Sequence, residues 1–249
     1  MTVLLTIQYD GTDYSGWQRQ SNTPHTVQEV LENALERRLG AFRVITAAGR
    51  TDAGVHALAM PCAFVCDNLR IPLDRLPLAL NSLLPPDIRV MSARRVGDGF
   101  CPIIDATSKT YRYEIDNSPC SDVFARRYAW QIRRELDTAA MRQAAAHFVG
   151  THDFMAFCAS GGSAATSVRT IFEINLRETA NRVSISVTGS GFLYNMVRII
   201  AGTLADVGLG KLPQERIPAI LLSRDRKKAG QTAPANGLTM VGVVYPNVL

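Results

Sequence analysis

Arg50, Thr51 and Asp52 sit between Gly49 and Gly54 in the stretch AGRTDAGVHA, residues 48–57, and His56 follows four residues after Asp52. A guanidinium so near a carboxylate favours its charged form. An ionised aspartate can act as a nucleophile or as a general base. Gly54 allows a tight backbone just after Asp52. The alternative is a solvated surface pair, which contributes little to stability, and the local sequence alone leans toward that alternative. His56 is either a third member of a site or a plain surface side chain.

Two other chemistries fail on residue type. Residues 8–14, QYDGTDY, resemble the D-x-D-G-T loop of aspartate-nucleophile phosphatases, but Gln8 stands at the nucleophile position, so a β-turn through Asp10 and Gly11 is the better reading. No glycine-flanked serine elbow exists, since GSG at Gly189–Gly191 lacks the spacing. Five scattered cysteines without a C-x-x-C pair, and four histidines without ligand spacing, predict neither a metal nor a disulfide framework. No apolar run is long enough to span a bilayer. The N-terminal MTVLLTIQYDG reads as a strand and not as a signal peptide, so the expected location is cytoplasmic.

Charge is unevenly placed in these 249 residues. Residues 1–105 carry 10 Lys+Arg against 11 Asp+Glu and contain no lysine. Residues 106–249 carry 17 against 11, and the whole chain is +5. A basic half rich in arginine suits phosphate and base contacts.

The elements that must position these residues follow from periodicity. Residues 3–9 read as a strand. Thr26 and Glu29 have capping-box spacing ahead of a helix with Val27, Val30, Leu31, Ala34, Leu35 and Leu39 on one stripe, stopped by Gly40. Strands are expected over 42–48, 58–66 and 88–96, with a helix from Pro72 to Leu84 between the last two, and Pro61 at an edge or bend. The order is β-α-β-β-α-β, the split βαβ or ferredoxin-like arrangement.

The second half starts similarly. It reads as a strand with Tyr111, Tyr113 and Ile115 on one side, a strand over 128–132, and a helix capped by Asp137 and ended by Gly150. A hairpin over 168–189, an amphipathic helix over 192–208, a short helix from Pro213 and a last strand over 237–245 follow. Residues 161–167, GGSAATS, form a mobile small-residue loop. The expected fold is therefore α+β, two ferredoxin-like halves (1–105 and 106–249) whose antiparallel sheets meet.

At this point an ordered set of motifs carries a resemblance. AGRTDAGVHA is similar to the signature of the tRNA pseudouridine synthase A (TruA) family. YDGTDYSGWQRQ, TVQEVLENAL, LNSLLPPDIRV, TSKTYRYEI, GTHDFMAF, VRTI, GSGFLYNMVRIIAGTL and TAPANGLTMVGVVY follow its remaining segments in order across the chain. The resemblance implies an isomerase that converts uridine to pseudouridine at positions 38 to 40 of the tRNA anticodon stem-loop. It implies a homodimer with no cofactor, no metal and no membrane partner, and a catalytic cleft between the halves.

By the same resemblance Asp52 is the catalytic residue, Arg198 its cationic partner, and Arg50 the side chain that fills the gap left by the extruded base. Tyr111 is the stacking platform and Leu238 an apolar wall. Arg19, His56, Arg126, Arg127 and Arg169 are candidate RNA contacts. Two stretches depart from the family pattern. Phe100-Cys101-Pro102-Ile103 replaces F-H-A-R, and Gln231 stands where an arginine is common, which puts RNA contacts in doubt more than chemistry. A tRNA binder without activity and a hydrolase using Asp52 with His56 are the rival readings.

Overall fold

The computed structural model describes residues 1–23, 25–162 and 164–246, a mixed α+β chain that divides into two compact units. One comprises Met1–Thr107 and residues 239–246, the other Ser108–Leu238. The break falls two residues from the expected boundary. Residues 239–246, expected in the second half, belong by their contacts to the first unit. The expected loop 161–167 includes Ser163, which lies outside the described residues.

In the first unit, β1 (Thr2–Tyr9) lies between β4 (Ile88–Val96) and β3 (His56–Val65), antiparallel to both. The other edge of β3 is shared. The two-residue β2 (Thr46–Ala47) pairs antiparallel at Cys62 and Ala63, and β10 (Leu238–Val244) pairs parallel at His56 and Ala57. Pro61 sits in the interior of β3 and not at its start. Its carbonyl accepts from Ala48 N–H on this divided edge, 2.8 Å away. The N–H that proline lacks faces the same side, so β1 loses no ladder bond.

Helix α1 (Val27–Leu39) follows its sequence signals. Thr26 Oγ1 accepts from the Glu29 N–H, and Gly40 closes the helix in the left-handed conformation. Its buried face holds Gln28 and Glu32 beside Val27, Leu31, Ala34 and Leu35. Glu32, 1 % exposed, accepts from Gln28 Nε2 (3.0 Å), the Ile45 N–H (3.2 Å) and Arg19 Nη1 (3.0 Å). Gln28 in turn donates to the Ile45 carbonyl and accepts from the Arg19 N–H.

This network explains why the strand expected over 42–48 shrinks to two residues. The backbone of Ile45 is bonded to side chains of α1, and Phe42 and Val44 are exposed. Helix α2 (Leu76–Asn81) is also shorter than expected. Asn81 ends it by bonding both the N–H and the carbonyl of Val90 with its side-chain amide.

The second unit carries the sheet β5-β9-β8-β7, antiparallel throughout, with β5 at Ser108–Asp116, β7 at Gly150–Asp153, β8 at Val168–Thr179 and β9 at Arg182–Gly189. The strand β6 (Trp130–Gln131) lies parallel to β5 and is shorter than expected. Tyr111, Tyr113 and Ile115 face the apolar side with Val187, Ile185 and Val183 opposite them. Thr110, Arg112 and Glu114 form the other face, where Thr110 bonds Thr188 and Ser184 donates to Glu114.

Helix α3 (Thr138–Ala146) is capped by Asp137 as expected and packs on α4 (Met196–Gly208); a short helix, α5 (Ile217–Ser223), follows. Helix α4 differs from the expected amphipathic helix. Every residue in it except Arg198 and Asp206 is buried, the pattern of a helix enclosed on all sides.

Glu32→Ala leaves Arg19, Gln28 and the Ile45 N–H without their shared acceptor. It should lower the unfolding free energy by about 3 kcal/mol, read as a reduced urea midpoint with unchanged slope.

Candidate active site

The loop of Asp52 is built against a second loop, residues 10–17. The Thr51 carbonyl accepts from Trp17 N–H (3.0 Å), the Tyr14 carbonyl accepts from Gly54 N–H (3.3 Å), and the Asp52 carbonyl accepts from Val55 N–H (3.1 Å). Thr51 is buried, its hydroxyl 2.7 Å from Tyr9 Oη. Gly54 has φ +78°, so the turn closes in a region that favours glycine. The local result is an alternation. Arg50 is exposed, Thr51 anchors inward, and Asp52 is half-buried. Tyr14 backs the loop and donates to Asp87 Oδ1 at 2.7 Å; burial and that carboxylate raise its pKa.

Contact between the two loops requires a residue without a side chain at position 11. A Cβ there would fall 2.0 Å from the Val55 carbonyl oxygen. The same approach settles His56. Its ring is 3 % exposed, and the Gly11 N–H donates to Nδ1 at 3.0 Å. Nδ1 is therefore the atom through which the ring meets the second loop. Asp10 Oδ1, 3.1 Å from Nδ1, is held by the backbone and hydroxyl of Thr12. His56 is thus a buried strut between loops, with only 3 % of its surface available for the expected RNA contact.

In the second unit, Tyr111 (8 % exposed) meets the edge of Phe192 with ring centroids 5.3 Å apart. Arg198 projects from the first turn of α4. Its Nε donates to the Ala233 carbonyl (2.8 Å) and its Nη1 to Asn195 Oδ1 (2.7 Å). Asn195, the residue preceding α4, takes the left-handed conformation (φ +60°), which asparagine tolerates better than most residues. The Ala233 N–H returns a bond to the Arg198 carbonyl (3.1 Å).

The close fit of residues 230–233 to α4 depends on Gly202, where a Cβ would lie 1.9 Å from the Gln231 carbonyl oxygen. Further along, Pro234 accepts from Tyr113 Oη (2.8 Å), and Gly237 lies against the Tyr113 ring. Burial pushes the Tyr113 phenol up, and the nearby Arg198 charge opposes that shift. So β5, the start of α4 and the strap 233–238 converge, bringing Tyr111, Arg198 and the buried Leu238 onto elements in mutual contact.

The expected RNA contacts divide by what holds them. Arg19 Nη1 lies 3.0 Å from Glu32 and Nη2 3.4 Å from Glu29, with the guanidinium 5.6 Å from the Phe42 centroid. It is a structural tie between α1 and the loop behind Asp52, with 42 % of its side chain exposed for the expected phosphate contact. Arg126 and Arg127 are exposed, with Arg126 Nη1 donating to the Val123 carbonyl at 2.7 Å. Arg169 donates to the carbonyls of Thr166 and Val168. Lys109 is lowered from the usual lysine range by burial and then by the charge of Arg169, which marks a cationic pair near Tyr111.

Sequence reasoning did not single out Asn195, the carbonyls of Ala233 and Pro234, or the exposed Phe124. Of these only Phe124 had a signal, an aromatic in a run rich in arginine. Among the described residues no group of three or more His, Cys, Asp or Glu could hold a metal ion, and no helix is long and apolar enough to cross a membrane.

A mixed α+β protein with a half-buried carboxylate on a braced loop, and a tyrosine and an arginine brought together on a second unit, defines the class. The tRNA pseudouridine synthase family model matches residues 5–102 and 144–246. The chain is 47% identical over 245 residues to tRNA pseudouridine synthase A of Ruminiclostridium cellulolyticum, covering 98% of this chain and 99% of the relative. It is 48% identical to the proteins of that name from Pelobacter propionicus and Geotalea uraniireducens, at the same coverage. The chain belongs to the tRNA pseudouridine synthase family.

Gly202→Ala should displace residues 231–233 from α4 and cost about 1–3 kcal/mol, the range for overpacking a closed contact. A thermal melt of the purified variant reads this, with the midpoint expected to fall by several degrees.

Proposed function

We propose that this protein isomerises uridine to pseudouridine in tRNA, at positions 38 to 40 of the anticodon stem-loop, as a cytoplasmic homodimer without a cofactor. The single observation that carries this assignment is the Asp52 loop, in which a half-buried carboxylate is braced from behind while Arg50 projects to solvent. Membership in the family supports it. Split βαβ order is part of the same proposal. In the first unit the strands run β4-β1-β3-β2 with every pair antiparallel, which supports that reading.

The reaction breaks the N1–C1′ bond, turns the base and forms C5–C1′. A proton leaves C5 and N1 gains one, so no electron is exchanged and no group is transferred to another molecule. Asp52 acts at the ribose, by attack on C1′ or by removal of a proton. Arg198 orients and stabilises that carboxylate, its own guanidinium fixed by Ala233 and Asn195. The target base must leave its stack, at a cost of a few kcal/mol. Arg50 fills the space it leaves, since a guanidinium plane stacks on bases. Tyr111 and Leu238 form the platform and the apolar wall against the extruded base. Arg126, Arg127 and Arg169 are proposed phosphate contacts.

With unmodified tRNA tritiated at uridine C5, the protein should release tritium to water. RNA binding without release would establish the inactive binder instead. Asp52→Asn should abolish release and leave tRNA affinity within about twofold, because the carboxylate repels phosphate and does not bind it. Full activity in that variant would remove Asp52 from the mechanism.

A further inference from the structure

Phe124 is 90 % exposed, the most exposed large apolar side chain among the described residues. It stands in the connection between β5 and β6. That connection is not a loose loop. Asp122 Oδ1 accepts from the Phe124 N–H (2.9 Å), and Asp122 Oδ2 pairs with Arg182 at 2.8 Å. The Asp122 carbonyl accepts from Ala125 N–H, and the Ala125 carbonyl accepts from Tyr128 N–H. Ala125 and Ala129 are buried as anchors, so the backbone faces inward while Phe124, Arg126, Arg127 and Tyr128 face out. Residues 123–134, VFARRYAWQIRR, hold four arginines and no acidic residue.

An exposed aromatic costs apolar hydration, and one held out on a bonded backbone cannot easily fold back onto its neighbours. Rigid aromatics beside guanidinium groups match what an unpaired nucleobase and its flanking phosphates require. A folded protein surface matches less well, because like-charged arginines at its centre would have to be desolvated.

We propose that the 122–128 loop is a second RNA-docking element, in which Phe124 stacks on an unpaired base of the tRNA other than the target uridine and Arg126 and Arg127 pair with the adjoining phosphates. This rests on tRNA being the substrate. The loop also joins the pocket elements mechanically. Asn236 Nδ2 donates to the carbonyls of Arg126 (2.9 Å) and Ala129 (3.0 Å). Asn236 lies on the strap whose Ala233 and Pro234 carbonyls hold Arg198 and Tyr113. Docking at Phe124 therefore bears on the segment that orients Arg198.

The test is equilibrium filter binding of unmodified tRNA to the full-length protein, with oligomeric mass measured in parallel. Phe124→Ala should weaken binding about tenfold, and Phe124→Trp should restore it, since either ring stacks. Leu222→Ala is the control for loss of an equally exposed apolar group, at 84 % exposure on α5, and should bind as the wild type does. Phe124→Ala indistinguishable from Leu222→Ala overturns the proposal. So does a fall in oligomeric mass with tRNA affinity unchanged, which would make the loop an interface between copies. Tritium release by the wild type decides the catalytic assignment separately, because binding is read without turnover.

Discussion

The Val55 carbonyl oxygen occupies the space where a side chain on residue 11 would begin. This backbone-to-backbone contact is what the first unit's site depends on. It lets the 10–17 loop lie flat behind the 51–55 loop, so that Trp17, Tyr14 and Gly54 exchange main-chain bonds with it. It also brings the Gly11 N–H onto His56. The order passes outward through α1, whose first N–H groups bond Gly16 and Trp17, and whose Glu32 and Gln28 hold Arg19. The Asp52 loop is thus held by backbone bonds to its neighbours.

The second unit repeats the device with different residues. Gly202 lets the Gln231 carbonyl press on α4, and the strap that follows supplies the acceptors for Arg198 and Tyr113. The departure at Gln231 can be judged from this. Position 231 serves α4 through its backbone, while its side chain is exposed. Loss of an arginine there leaves the support of Arg198 intact and removes only an outward charge.

Most elements were legible because their signals are local. Thr26 with Gly40 bounds α1, and alternation along 108–116 separates Tyr111 from Thr110. The misreadings were tertiary. Residues 42–48 have strand composition, but Ile45 gives its backbone groups to Gln28 and Glu32. The outer face of α4 looked polar only through Arg198 and Asp206, and its small residues proved to be contact points. The motif singled out His56 without showing that it braces the two loops. Spacing does not reveal that the ring points into the gap beside Gly11. Asp52, Tyr111 and Arg198 were singled out only through ordered motifs, because residues on separate elements leave no common period in the sequence.

The arginines show a further division that the sequence could not display. Arg19, Arg112, Arg142 and Arg182 lie against carboxylates, which cancel their charge. Arg126, Arg169 and Arg226 are instead held by carbonyl oxygens. A carbonyl fixes a guanidinium's direction without neutralising it, so the cation keeps its full attraction for phosphate while its rotamer entropy is already spent. On the proposed function, Arg126 and Arg169 keep their charge for phosphate, while Arg226 turns its guanidinium to its own loop. A basic composition alone could not make that separation, because Arg19 and Arg126 count equally in a net charge of +5.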